Sequence, residues 1–274
     1  MAIFVSELGG GMKSGIYRLS IVVLVSVLIY WVFWNAYSWI SPLHLSNHPI
    51  IRFVTRWCMA VIPMIIALFI MYRPKCIIGS VGLDKSFVAG AGIAFLFTLP
   101  LYVGFSIAGN LNMDVTAEQI ICKVVLAAFF EELVFRGFMF GQLFRYCKIG
   151  FFWAAVFPAV LFGVLHVYQG HDLLSSLTAF GVTLLGAFYF SWIYVEWNFN
   201  LWVPIGLHLF MNLSWFLFSV EGTDNATGGL ISNILRVASI ALAIVITVIY
   251  KRRANKRIFD YPVWSIGSEN HRRQ

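Results

Sequence analysis

Hydrophobic positions along the chain gather into long blocks, and polar positions punctuate them. Apolar runs occupy about residues 19–27 (continuing to about 40), 51–72, 87–108, 119–144, 151–168, 173–195, 201–219 and 230–250. Each is long enough to cross the apolar core of a bilayer, which takes about 20 helical residues. The pattern predicts an all-α fold, a polytopic transmembrane helical bundle of about eight spanning helices. Residues 41–49, with Pro42 and Pro49, read as a loop between the first two spans. Met1 to Tyr17 carries no small-residue cleavage site after a short apolar core, and the first run continues through Trp31, Trp34 and Trp39. This start is expected to remain as a membrane anchor rather than to act as a secretory signal. The chain carries no internal repeat or low-complexity segment.

Composition agrees with the pattern. Of the 274 residues 60% are hydrophobic and 11% charged, against about 45–50% and about 25% in soluble domains. Too few charges remain to cover a water-facing surface, which excludes a soluble enzyme, a disordered chain and a typical nucleic-acid binder. The net charge of +7 could suggest an acidic partner, but its placement points elsewhere. Seven of the 19 Lys and Arg residues follow residue 250: Lys251, Arg252, Arg253, Lys256, Arg257, Arg272 and Arg273. A basic cluster directly after an apolar run is a cytoplasmic flank under the positive-inside rule. Lys13, Arg18, Arg73, Lys75, Lys85, Arg145 and Lys148 fall on the same side, whereas the loops around 109–118, 169–172 and 220–229 hold no Lys or Arg. Arg52 and Arg56 are the exception. Both termini are therefore expected in the cytoplasm, with lipids as partners and no nucleic acid. Cys58, Cys76, Cys122 and Cys147 show neither a CxxC spacing nor a metal-ligand pattern.

Candidate chemistry concentrates in the fourth span, which holds Lys123 and then Glu131, Glu132 and Arg136. An ionisable side chain at the bilayer centre costs about 2.5–3.5 kcal/mol, so three within one short stretch would cost on the order of 8 kcal/mol if they faced lipid. They must face the bundle interior or a watery cavity. Glu132 and Arg136 are one helical turn apart and suited to pairing; Glu131, rotated by about 100°, lacks a local cation. A structural salt bridge would account for Glu132 and Arg136 but not for Glu131. Two adjacent carboxylates in low dielectric suit general acid–base work.

The fifth span adds His166, and the seventh adds His208 and Asn212, four apart on one helical face. A lone membrane histidine is often only a strut between helices. Two glutamates, an arginine, two histidines and an asparagine on three otherwise apolar spans form a different kind of set. Hydrolysis by activated water needs a carboxylate base, an imidazole to share the proton and donors for the oxyanion, and these residues can supply all of them.

The pattern Glu131-Glu132-x-x-x-Arg136, Phe162-x-x-x-His166 and His208-x-x-x-Asn212 resembles the three motifs of the CPBP intramembrane proteases, which include type II CAAX prenyl proteases and the bacteriocin-processing or immunity (Abi) proteins. The resemblance extends to Phe135-Arg136-Gly137 and Leu161-Phe162-Gly163 and covers about residues 118–215. It divides the chain into N-terminal helices of about three spans (1–117), a core of about four spans (118–219), and a last span with a basic cytoplasmic tail (220–274). It implies a bundle with an intramembrane cavity that cleaves peptide bonds of membrane-bound or lipidated substrates, in a bacterial plasma membrane. By the same resemblance Glu131 activates water with His166, His208 and Asn212 stabilise the oxyanion, Glu132 and Arg136 support them, and Phe162 packs beside the site.

No cofactor is favoured. A catalytic zinc often takes a histidine pair on one helix, and that pair is absent, although Glu131, His166 and His208 could still assemble a three-ligand zinc site. A proton-coupled transporter and a non-catalytic scaffold or immunity protein are the competing functions. A transporter would favour paired repeats and broken helices, which the sequence does not display. Trp31, Trp34, Trp39, Trp192, Trp197 and Trp202 read as interfacial anchors, and Gly90, Gly92, Gly181 and Gly186 as helix-contact positions. His171 and Asp172 read as a solvated loop pair, Glu221 and Asp224 as part of an acidic non-cytoplasmic loop, and His44 and His48 as loop residues without chemistry.

Overall fold

The computed structural model describes residues 11–41, 48–220 and 228–265. Within them all eight apolar runs are helical. The helices are α1 (Gly11–Ile40), α2 (Pro49–Met71), the short α3 (Pro74–Val81), α4 (Phe87–Ala108), α5 (residues 117–146), α6 (Phe151–Val164), α7 (Leu173–Glu196), α8 (Trp202–Leu217) and α9 (Leu230–Arg253). Six are long and apolar enough to cross a membrane, and α8 is a shorter apolar helix. The protein is an all-α polytopic bundle.

Local chemistry sets the helix boundaries. Pro49 and Pro74 open α2 and α3, where the missing N–H is no loss. The Ser86 hydroxyl caps α4, and Thr116 with Gln119, like Asp172 with Ser175, forms a reciprocal capping box at α5 and α7. Gly82 closes α3 at φ 82°. A side chain there would collide with the Phe199 carbonyl, so both conformation and space require glycine.

Helix α5 lies at the centre, against α1, α2, α3, α6, α7 and α8. Around it α1 pairs with α2, α6 with α7, and α4 with α8 and α9. Phe97, Phe138, Phe140, Met139, Ile193 and Tyr194 are fully buried in one core. Val88, Ile107 and Leu185 point outward, as lipid-facing side chains do in a spanning bundle. Gly90 approaches Trp202 too closely for any side chain, as the sequence suggests. Gly92, Gly181 and Gly186 instead face open space; other close helix-to-helix approaches fall at Gly104, Gly163 and Gly206. Spacing marks small residues but not which face of a helix meets a neighbour.

The end of the bundle that carries the basic loops is sealed. The Gln142 side chain accepts from the Tyr72 hydroxyl (2.6 Å) and donates to the Ser80 carbonyl (3.1 Å). Arg145 donates to the Gly79 and Ser80 carbonyls at the C-terminus of α3, where a cation complements the helix dipole. The chain after α9 folds back on the bundle. Its Pro262, Val263 and Ser265 carbonyls accept from the first N–H groups of α6 at 2.7–3.0 Å, which have no partner within their own helix. Lys251 pairs at 2.8 Å with the buried Glu196, whose other oxygen accepts from the Phe259 N–H and the Tyr261 hydroxyl. A basic flank read from charge alone is thus also a docked segment. Trp192, Trp197 and Trp202 turn inward rather than anchoring at an interface: Trp192 is buried, Trp197 donates to Thr247, and Trp202 donates to the Leu83 carbonyl. The opposite end carries, among the described residues, a two-residue antiparallel pairing, β1 (Asn110–Leu111) with β2 (Phe218–Ser219). Glu221, Asp224, His44, Arg272 and Arg273 lie outside the described residues.

Candidate active site

Helix α5 is not a uniform α-helix. Near Leu126 and Phe140 its turns widen, so that the Ala127 N–H reaches the Cys122 carbonyl and the Gly141 N–H reaches that of Arg136, each five residues back. Only Ala127–Glu132 keeps regular α geometry between the widened turns, and Glu131 and Glu132 end that segment. Such widened turns recur at functional sites because they re-aim side chains within a helix. The run has no Pro, and although Gly137 and Gly141 fall at the second widened turn, the first has neither residue; the sequence reading finds no irregularity at either.

Glu132 and Arg136 meet as their spacing suggests, with Arg136 Nη1 3.0 Å from Glu132 Oε1 and both side chains almost fully buried. Two rings flank the guanidinium, Phe162 of α6 at 4.7 Å and Phe190 of α7 at 5.1 Å. The cation is held by a carboxylate at one end and aromatic faces on its sides. Glu132 has a second partner that helix spacing does not reveal. His208 Nδ1 of α8 lies 2.8 Å from the same Oε1. The other ring nitrogen, Nε2, points towards Glu131 Oε2 at 3.9 Å. With Arg136 keeping Glu132 an acceptor, His208 donates through Nδ1 and presents Nε2 to Glu131.

Glu131 is only partly buried, with 19% of its side chain exposed. It lines a cavity of about 300 Å³ together with His166, Tyr168, Arg56, Trp57 and Trp34. His166 follows α6, and its Nδ1 lies 2.8 Å from the Phe162 carbonyl. Nδ1 must therefore carry the proton, which leaves Nε2 as an acceptor. The Phe162 ring packs on His166 at 4.4 Å.

The structure thus gathers Glu131, Glu132, Arg136 and His208 into one cluster and sets Glu131 and His166 on one cavity. Asn212 is turned elsewhere: its amide donates to the Lys123 carbonyl at 3.0 Å, and it does not line the cavity. Asp172 caps α7 and accepts from Ser175, a structural role in place of a free loop charge. His48 precedes α2 without a side-chain cap. Arg56, Tyr168 and Phe190 are site neighbours that the motifs do not contain. For Arg56 a signal existed, since it breaks the charge bias of its side of the membrane. The zinc set Glu131, His166 and His208 does not converge on one point: among the described residues no three of His, Cys, Asp and Glu are placed to share an ion.

A membrane-spanning helical bundle with an enclosed glutamate–histidine cluster and a cavity at one of its glutamates is the class of protein these features define. Comparison with known proteins agrees. Residues 115–214 match the family model described as type II CAAX prenyl endopeptidase Rce1-like. A Bacillus subtilis (strain 168) protein named "Putative membrane peptidase YdiL" is 34% identical over 107 residues, 39% of this chain. The matched stretch spans 39% of that relative's length. The resemblance seen in the three motifs therefore holds over the segment that contains them.

Proposed function

We propose that the protein is an intramembrane endopeptidase that hydrolyses peptide bonds of membrane-associated proteins or peptides, of CAAX type or in bacteriocin and peptide processing. The observation that supports this most directly is the shared cavity of Glu131 and His166 beside an imidazole, His208, that is itself pinned by Glu132. Glu131 takes a proton from a water held against it and His166 Nε2. The hydroxide adds to the scissile carbonyl carbon, and the carbonyl π electrons move to oxygen. His208 Nε2, protonated, donates to that oxyanion. Collapse expels the amine, which takes the proton held on Glu131, and a carboxylic acid and an amine result. Glu132 and Arg136 keep the His208 ring in place throughout. Asn212 joins the oxyanion donors on release of the Lys123 carbonyl.

The mechanism uses glutamate and histidine with no metal. Stoichiometric zinc in active protein, with activity lost to a chelator and restored by zinc, would contradict it. Glu131→Gln, His166→Ala and His208→Ala should each abolish cleavage by purified protein while the protein still accumulates in membranes. Full activity of any one at matched expression removes that residue from the scheme.

We assign both termini to the cytoplasm, as the charge bias suggests, and the membrane to a bacterial plasma membrane, as the family resemblance implies. The cavity then belongs to the half of the bundle away from the cytoplasm, because Trp34 is near the end of α1, Arg56 near the start of α2 and His166 just past α6. A membrane-impermeant thiol reagent should reach Cys76, exposed on α3, only from the cytoplasmic side; labelling from the other side would invert the assignment.

A further inference from the structure

Arg56 lies within α2, an otherwise apolar helix, and its side chain is half-buried at the wall of the cavity that Glu131 and His166 share. It is well held. Its Nε donates to the Phe33 carbonyl at 3.0 Å, and its guanidinium sits 3.6 Å over the Phe33 ring. Those contacts fix the plane of the group but use one of its five N–H donors. Among the described residues no carboxylate lies within ion-pair distance of Arg56. Arg136 offers the contrast, a membrane arginine with a glutamate at 3.0 Å. A cation in a spanning helix without a counter-charge is costly unless it serves a pathway or a ligand.

Glu131 shares the cavity with Arg56 but does not pair with it, so the carboxyl and the guanidinium stand on separate parts of one wall. The volume of about 300 Å³ would hold about ten waters at roughly 30 Å³ each, and therefore a short stretch of peptide. Trp34, Trp57 and Phe33 supply apolar surface for its side chains. We propose that Arg56 forms an anion subsite that anchors a carboxylate of the peptide substrate, either its C-terminus or an acidic side chain, through the free edge of its guanidinium. The planar fork matches a carboxylate with two parallel hydrogen bonds. Anchoring there holds the neighbouring peptide bond at Glu131 and His166. The subsite deepens the peptidase reading and rests on it for its purpose, though not for its binding chemistry.

The test uses the full chain in lipid nanodiscs and isothermal titration with three N-acetylated tripeptides: Ala-Leu-Ala with a free C-terminus, the same peptide amidated, and amidated Ala-Glu-Ala. The free acid should bind the protein at least about tenfold more tightly than the neutral amide, as a charge-assisted paired hydrogen bond implies. Arg56→Gln should reduce that preference to within about twofold, and Arg56→Lys should keep part of it. Ala-Glu-Ala amide binding like the free acid identifies a side-chain carboxylate as sufficient; binding like the neutral amide identifies the C-terminus. Equal affinity for acid and neutral amide in the unmodified protein overturns the subsite. So does a preference that survives Arg56→Gln. Should Arg56→Gln fail to accumulate, the unmodified protein and Arg56→Lys decide. Acid preference without cleavage of any peptide would sink the peptidase reading and leave the subsite standing, whereas cleavage without acid preference would do the reverse. With cleavable substrates, Arg56→Gln should raise KM about tenfold and change kcat little.

Discussion

The two ends of the bundle are built differently. At the end with the basic loops, the charged side chains of the seal are matched: Arg145, with Gln142, binds the last carbonyls of α3, Lys251 pairs with Glu196, and the segment after α9 caps α6. In the other half Glu131, His166 and Arg56 line an open cavity, with Glu131 3.9 Å from His208 and Arg56 without an ion pair among the described residues. Satisfied polar networks rigidify a structure, and unmatched ones keep their capacity to bind or to transfer protons. The middle of α5 joins the two, since Glu132 is matched and Glu131 beside it is not.

That contrast sets the order of expected effects. The largest is on chemistry. Glu131→Gln keeps the shape of the side chain and removes its basicity, so cleavage by purified protein should fall at least about a thousandfold, with the detergent-stability midpoint unchanged. A midpoint drop there, paired with a stable but inactive Glu132→Gln, would exchange the roles of the two glutamates. The next effect is on stability. Glu132→Gln leaves Arg136 between two aromatic rings without its counter-charge, and breaking one side of a buried pair costs about 3–5 kcal/mol. Arg136→Ala should resemble it in chemical denaturation, and both should loosen His208.

At the sealed end, Glu196→Gln should destabilise by about 3 kcal/mol, since Lys251 and the Tyr261 hydroxyl both lose an anionic partner. Cleavage per folded molecule should stay within about twofold; a collapse in rate would show that the two ends are coupled. Helix caps make the smallest contribution. Thr116→Ala removes a capping box at the start of α5 and should cost about 1 kcal/mol without affecting chemistry. Asp172 adds a pH signature. Backbone and hydroxyl hydrogen bonds from Ser175 hold its carboxyl below the usual range. A lowered folded-state pKa means stability present above the unfolded value of about 3.9 and lost as pH falls through the folded one. Asp172→Asn should therefore flatten the acid side of the stability profile by lowering stability slightly at neutral pH, where the carboxylate contributes, and leaving low pH nearly unchanged.

Much of this was legible in advance, and the failures share a cause. Glu132 with Arg136 was legible because four residues along a helix is a distance. His208 as the second partner of Glu132 was not, because it joins residues 76 apart. Asn212 shows the limit from the other side: it shares a helical face with His208, yet its amide turns to the Lys123 carbonyl. Trp192 and Gly181 were misjudged for the same reason, one buried and the other facing open space.

The sequence by itself determined that the chain is a helical membrane protein, where its spans lie, and which ionisable residues must avoid lipid. Those follow from the length of apolar runs, the cost of charge in hydrocarbon and helical periodicity, all of which are properties of neighbouring residues. Tertiary structure alone decided that α5 widens around its glutamates, that the chain after α9 seals one end, and that Arg56 of α2 reaches the cavity of Glu131 and His166. These depend on which helix faces pack together, and each outcome joins residues too far apart in the chain for any local pattern to relate them.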